Sequence, residues 1–340
     1  MRYGKFLVPK DTIGVVAPSF GITIDPYLTR YLDAKQKFIN KDYQISEAES
    51  IYNLSHARSN TAIIRADEFI KMWFDDNIDF IFSAAGGELM CEILPFIDFE
   101  KLKNSKPKFF MGYSDNTCLT FLLTTICDIA SIYGYNITGF GMENWDISIQ
   151  ESYEIITGKR LNQKSYDKYQ IIEPSNEDDN PLSAFNKTEP VDYQTLDNQD
   201  VNVTGRLIGG CLDILMLFCG TKFDHVAEFT KKYQDDGIIW YLEACDMNPL
   251  MLTRALWQLN QIGWFNGCKA IIFGRPMHDK EVLFDVTFTE AIKTTLSDLN
   301  IPIVMGMDFG HLPPSFTIIN GCIATVKVKD HQGTISYELK

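Results

Sequence analysis

Three polar side chains in this 340-residue chain closely follow apolar runs. Ser114 comes after Lys108–Met111, Glu243 after Ile238-Ile-Trp-Tyr-Leu242, and His311 after Pro302–Met305. These are the three types that acyl transfer needs. A neutral serine is a weak nucleophile until an imidazole takes its proton, and the imidazole needs an acceptor that fixes its tautomer and stabilises the imidazolium. Separation along the chain is no obstacle, because such sets are defined by geometry and occur in several chain orders.

Each residue also has a plainer reading. Gly112 permits a tight strand-to-helix turn, and a helix starting near Ser114 offers free amides and its positive dipole end to a developing negative charge. Ser114 equally suits a helix N-cap, with Asp115 and Thr117 beside it to share that duty. Glu243 is either held by a partner or points to water at a strand end. His311 is one of five histidines, set above His56, His225, His278 and His331 by its place after a strand and a glycine. Gly86-Gly87, after the apolar run Ile78–Ala84, either brings a backbone N–H to an oxyanion or makes an ordinary turn. Arg275, between Gly274 and Pro276, fits a carboxylate clamp or a surface arginine.

The elements that must position these residues alternate. Thr12–Ala17, Ile78–Ala84 and Lys108–Met111 read as buried strands, and Tyr27–Ile39, Thr61–Asp75 and Thr117–Ile126 as helices. In Thr61–Asp75 the spacing puts Ile64, Phe69, Met72 and Trp73 on one face. After residue 204 come a helix at Leu212–Phe218, strands at Gly237–Leu242 and Lys269–Phe273, a helix at Leu250–Ile262, and a strand at Pro302–Met305. Cys322–Val328 and Thr334–Leu339 alternate as a terminal antiparallel pair. This is an α/β pattern with a mostly parallel sheet and sites at the C-terminal strand ends. The stretch 146–204, including Ser175-Asn-Glu-Asp-Asp-Asn-Pro181, is polar and reads as a connecting segment between domains at 1–145 and 205–340.

Bulk properties exclude several functions. The net charge is −14, from 45 acidic against 31 basic residues, with no basic run longer than a pair such as Lys231–Lys232. That argues against nucleic acid and anionic membrane as partners. Eight cysteines lie without a Cys-x-x-Cys, mostly within apolar runs, as expected of free thiols in a reducing compartment. No stretch of 18 apolar residues and no secretory leader is evident, so a cytoplasmic location is expected. There is no His-Glu-x-x-His and no Walker motif, so neither a metal nor another cofactor is expected. A thiol mechanism would turn to Cys118, close after Ser114 but off the turn.

Several segments, taken in order, resemble the LD-carboxypeptidase family, which includes the microcin C self-immunity peptidases. They are Val15-Val-Ala-Pro-Ser19, Arg65-Ala-Asp67 with Gly86-Gly87, Lys106-Pro-Lys108 through Gly112-Tyr-Ser-Asp115, and Gly209-Gly-Cys-Leu212 with Gly220-Thr221. Leu242-Glu243, Arg254-Ala-Leu256 through Gly263, and Gly306 to His311 complete the set. The resemblance implies a Ser114–His311–Glu243 triad, with the backbone amides of Gly87 and Asp115 as oxyanion hole. It implies an N-terminal α/β domain like a flavodoxin or class I amidotransferase, and a C-terminal swivelling β/β/α-type domain. The active site would lie between the domains of a metal-free homodimer. Two departures stand out: Tyr133-Gly134-Tyr135 where the family has Gly-Pro, and Cys211 where it has asparagine. Length and the long polar connection resemble the microcin-immunity branch, which cleaves a peptide from a nucleotide-like amine and stacks an aromatic on the base. Phe185 and Tyr193 are the available platforms, or else loop anchors. The other branch releases terminal D-alanine from murein tetrapeptides. A binding protein that keeps the cleft without catalysis, and a glutamine amidotransferase-like enzyme, are the remaining alternatives.

Overall fold

The computed structural model describes residues 1–172 and 180–340, so Ser175 and its acidic neighbours lie outside the described residues. The chain forms two compact units. One comprises Met1–Arg160, residues 180–186 and Phe316–Asn320; the other comprises Leu161–Ile172, Lys187–Ser315 and Gly321–Lys340.

In the first unit, strands run side by side, buried along most of their length except at the edge strand Gln44–Glu47. The sheet order is Ile318–Asn320, Ser131–Tyr133, Phe109–Gly112, Phe80–Ser83, Thr12–Val16, Gln44–Glu47. The last five are parallel, and Ile318–Asn320 joins the edge antiparallel to Ser131–Tyr133. Continuous apolar runs such as Phe109-Phe-Met-Gly112 suit strands covered on both faces. Helix Tyr27–Asn40 buries Arg30, Tyr31, Ala34 and Phe38, a stripe with helical spacing. Phe38 anchors an aromatic cluster with Tyr43, Phe82, Phe140 and Tyr153, at centroid distances of 5.9, 5.8, 5.3 and 6.2 Å.

Helix Ala62–Phe74 departs from expectation. Its buried side is Arg65, Ala66, Phe69 and Trp73, whereas Ile64 is exposed and Met72 half-buried. Phe69 and Trp73 face the core as their spacing suggests, but a buried arginine takes the place expected of Ile64. The Arg65 guanidinium donates to the Pro18 carbonyl at 2.7 Å and to Glu92 at 2.6 Å. The expected strands and helices of this half otherwise appear within a residue or two of their sequence bounds.

The second unit holds an eight-stranded sheet in the order Asn162–Lys164, Gln332–Glu338, Ile323–Lys329, Val201–Cys211, Ile238–Glu243, Cys268–Gly274, Ile303–Met307, Gln194–Thr195. Val201–Cys211 through Ile303–Met307 are parallel, and the terminal pair is antiparallel as its alternation suggests. Together the units are the α/β domain and the β/β/α-type domain expected of this sequence. The stretch 146–204 is more structured than its polarity suggests. Ile147–Ile156 is a helix of the first unit that buries Ile149, Tyr153, Ile155 and Ile156, its apolar spacing masked by the serines and glutamates between. Residues 161–172 and 187–204 supply sheet and loop segments of the second unit. Among the described residues no helix is long and apolar enough to cross a membrane.

Phe38→Ala removes the shared ring of the aromatic cluster from a fully buried site. It is expected to destabilise the first unit by about 3–5 kcal/mol, read as an earlier denaturant midpoint for fluorescence of this half.

Candidate active site

The first unit contributes a serine on a strained turn. Phe109–Gly112 ends, and Ser114 follows with φ of +63°, a left-handed backbone that non-glycine residues adopt only when their surroundings impose it. The surroundings do so here. Gly112 leaves room for Asn116, whose side chain lies 2.8 Å from where a Cβ on Gly112 would sit. The Asn116 amide group donates to the carbonyls of Ala85 and Tyr113, both at 3.0 Å, and to Asn136 at 3.1 Å. The helix Thr117–Thr125 starts from Asn116 without a side-chain cap, so the capping position falls two residues beyond Ser114.

Across from the serine lies the glycine pair. A Cβ on Gly86 would be 3.3 Å from the Ser114 Cβ and 3.5 Å from its Oγ. Gly87 has φ of +145°, and a Cβ there would come within 2.1 Å of the Ser19 hydroxyl, so both conformation and space require glycine. The Ser114 amide donates to the Tyr133 hydroxyl at 3.2 Å, which leaves the serine's own N–H engaged.

The side chain of Asp115 fastens the turn from inside. Its buried carboxylate accepts from the Ser19 hydroxyl and from the Met90 amide at 2.9 Å. It thereby joins the serine turn to the loops after Thr12–Val16 and Phe80–Ser83. Burial pushes this carboxyl above its ordinary value, although Ser19, Met90 and Arg65 all favour the charged form. Cys118 is fully buried, and burial pushes its thiol well above the usual range. Tyr135 and Phe185 stack at 6.4 Å with 20° between planes. Phe185 is half-buried and remains a candidate platform.

The second unit contributes a histidine–carboxylate pair. Glu243 is the last residue of Ile238–Glu243, and its side chain is fully buried. His311 follows Ile303–Met307 through a loop, and its Nδ1 lies 2.9 Å from Glu243 Oε2. A Cβ on Gly310 would sit 3.1 Å from that same oxygen, so the glycine before the histidine lets the loop close onto the carboxylate. Burial works against a charge on His311, but Glu243, together with Cys245, outweighs it and raises the pKa well above its ordinary 6.5.

Cys245 escaped the sequence reading. Its thiol hydrogen-bonds the His311 ring, while its amide donates to Asp213 at 3.0 Å. The only signal was its position two residues past Glu243.

Arg275 and Tyr193 are both held in a buried polar network. Arg275 is 4% exposed, so it is no surface arginine, and its guanidinium bonds Asp308 and the carbonyls of Leu312 and Pro314. Tyr193 is 1% exposed, and its hydroxyl donates to Asp308 at 2.5 Å. With no face open to a base, it is a loop anchor and not a stacking platform. Among the described residues no group of three or more His, Cys, Asp or Glu side chains could hold a metal ion.

Comparison with known proteins places both halves. The LD-carboxypeptidase N-terminal domain matches residues 13–134, and the LD-carboxypeptidase C-terminal domain matches residues 204–326. A putative carboxypeptidase of Vibrio cholerae is 26% identical over 97% of this chain and 96% of its own. The microcin C7 self-immunity protein MccF of Escherichia coli is 25% identical over 91% of this chain and 88% of its own. A structure of MccF in complex with aspartyl sulfamoyl adenosine covers 99% of each chain at a TM-score of 0.80 and 21% identity. An MccF-like protein from Bacillus anthracis covers 100% of each at a TM-score of 0.83 and 21% identity.

The His311 environment predicts a pH response. Because its folded pKa is raised, the pair with Glu243 stabilises the second unit fully below about 6.5, and this contribution is lost as pH rises through the folded value. Glu243→Gln removes the main raising influence and leaves burial. The His311 Cε1 proton resonance is then expected to titrate at lower pH than in the wild type.

Proposed function

Because the chain belongs to the LD-carboxypeptidase family, we propose that this serine-type carboxypeptidase hydrolyses the C-terminal bond of a small peptide or peptide–nucleotide conjugate through an acyl-enzyme on Ser114. The observation that carries this reading is the left-handed backbone at Ser114, the strain expected of a nucleophile on a strand-to-helix turn. The His311–Glu243 pair supplies the other component, a base with its orienting carboxylate.

In this reading Ser114 Oγ attacks the scissile carbonyl carbon and its proton passes to His311. The amides of Gly87 and Asp115 receive the oxyanion, since the Ser114 amide is already engaged. Collapse expels the amine, which takes the proton from His311. Water, deprotonated by His311, then releases the acyl group and restores the serine. Only neutral imidazole accepts a proton, so kcat/KM rises with pH through the raised His311 pKa.

For the substrate we favour the peptide–nucleotide branch. MccF binds aspartyl sulfamoyl adenosine, and Phe185 offers this chain an aromatic ring in the connecting stretch. Release of terminal D-alanine from a murein tetrapeptide is the second substrate reading. We place the enzyme in the cytoplasm as a homodimer, on the family likeness and its eight free thiols.

The deciding experiment offers a murein tetrapeptide and an aminoacyl-sulfamoyl adenosine to the purified protein, with products read by mass spectrometry. Wild type is expected to cleave, and Ser114→Ala to lose on the order of 10⁶-fold in kcat. If folded wild type leaves both substrates intact, the hydrolase reading gives way to a binding protein. Gly87→Ala is expected to lose roughly 10²–10³-fold. Thiol alkylation of the wild type does not discriminate serine from cysteine chemistry, because Cys245 touches His311. Cys245→Ser, which is expected to retain hydrolysis, does.

A further inference from the structure

Residues bracketing His311 are fastened from one point. One Arg275 nitrogen donates to Asp308, three residues before the histidine; another donates to the carbonyls of Leu312 at 2.9 Å and Pro314 at 2.8 Å, one and three residues after it. The other Asp308 oxygen accepts from the Tyr193 hydroxyl at 2.5 Å and from the Tyr166 amide at 3.0 Å. The Tyr193 hydroxyl in turn accepts from the Asp308 amide at 3.1 Å. Tyr169 lays its ring 4.7 Å from the guanidinium. Arg275, Asp308 and Tyr193 are all at least nine-tenths buried.

We propose that Arg275, with Asp308 and Tyr193, is a positioning clasp that sets the His311 ring against Glu243 and so determines its competence as a base. This rests on the triad reading above. Arg275 itself touches no reacting atom, and its planar guanidinium holds a carboxylate and two carbonyls in fixed directions from one fork. A lysine ammonium keeps the charge but not the fork. A direct role as a substrate-carboxylate clamp fits the surroundings poorly. The cavity of about 240 Å³ beside Arg275 is also lined by Glu243, Asp192 and Asp279, three acidic side chains that disfavour an anion.

The predicted signature differs from both a structural and a substrate-binding role. Arg275→Lys and the milder Tyr193→Phe should lower kcat on the order of 10–100-fold and several-fold respectively, as expected for a slight misplacement of a catalytic group. KM should stay within about twofold, since the clasp does not act through ground-state binding. The ionisation of His311, followed by its Cε1 proton resonance and assigned with His311→Gln, should fall in both variants as the ring loosens from Glu243. Guanidinium ion added to Arg275→Ala should restore part of kcat. Circular dichroism establishes that each variant is folded, and Tyr193→Phe carries the test if Arg275 variants are not.

Unchanged kcat with unchanged His311 titration in a folded variant overturns the clasp. A rise in KM with kcat preserved also overturns it, in favour of substrate binding. The resonance is measured without substrate, so absence of wild-type hydrolysis counts against the function while the titration still judges the clasp.

Discussion

The left-handed backbone at Ser114 is the constraint around which the first unit is arranged. A serine at φ of +63° costs of order 1–3 kcal/mol, and that cost must be offset by neighbours that hold the turn. Asn116 supplies three hydrogen bonds from one amide group. Asp115 ties the turn to Ser19 and Met90. Gly112 and Gly86 keep the flanking space clear of side chains.

The two units solve the same problem in the same way. Each anchors loops at its strand ends with a buried arginine that bonds backbone carbonyls and one carboxylate. Arg65 takes Pro18, Leu89 and Glu92 in the first unit, and Arg275 takes Leu312, Pro314 and Asp308 in the second. Burying such a charge is expensive unless its donors find partners. What the arrangement gains is definition of loop geometry, because a guanidinium fork fixes direction as well as distance. Helix Ala62–Phe74 gives up an apolar position to Arg65 on this account.

Much of this was legible in the sequence, and the reasons for the rest are physical. Buried parallel strands announce themselves as apolar runs, so the residues at their ends, Ser114, Glu243 and the glycine pair, stood out. His311 was set apart by the strand and the glycine before it. The sequence left Tyr193 and Arg275 with two readings each, because periodicity reports which residues face a core, not which polar atoms meet inside one. An arginine between glycine and proline looks like a loop residue until its partners, 33 to 39 positions away, are known. Helix Ile147–Ile156 was lost in the polar stretch because its buried face includes serine and glutamate. Cys245 carried no pattern at all, being one residue in a loop whose meaning comes from the ring it meets.

The interleaving of the chain has a consequence for how the protein is made. The edge strand Ile318–Asn320 of the first unit's sheet is synthesised some 185 residues after its partner Ser131–Tyr133, with most of the second unit in between. A nascent chain that folds from its N-terminus therefore holds an open sheet edge until Ile318–Asn320 has emerged. Open edges invite pairing with other chains. The unit that carries Ser114 is thus completed only by a segment that leaves the ribosome after His311, and a chain released before it lacks the strand that seals the sheet.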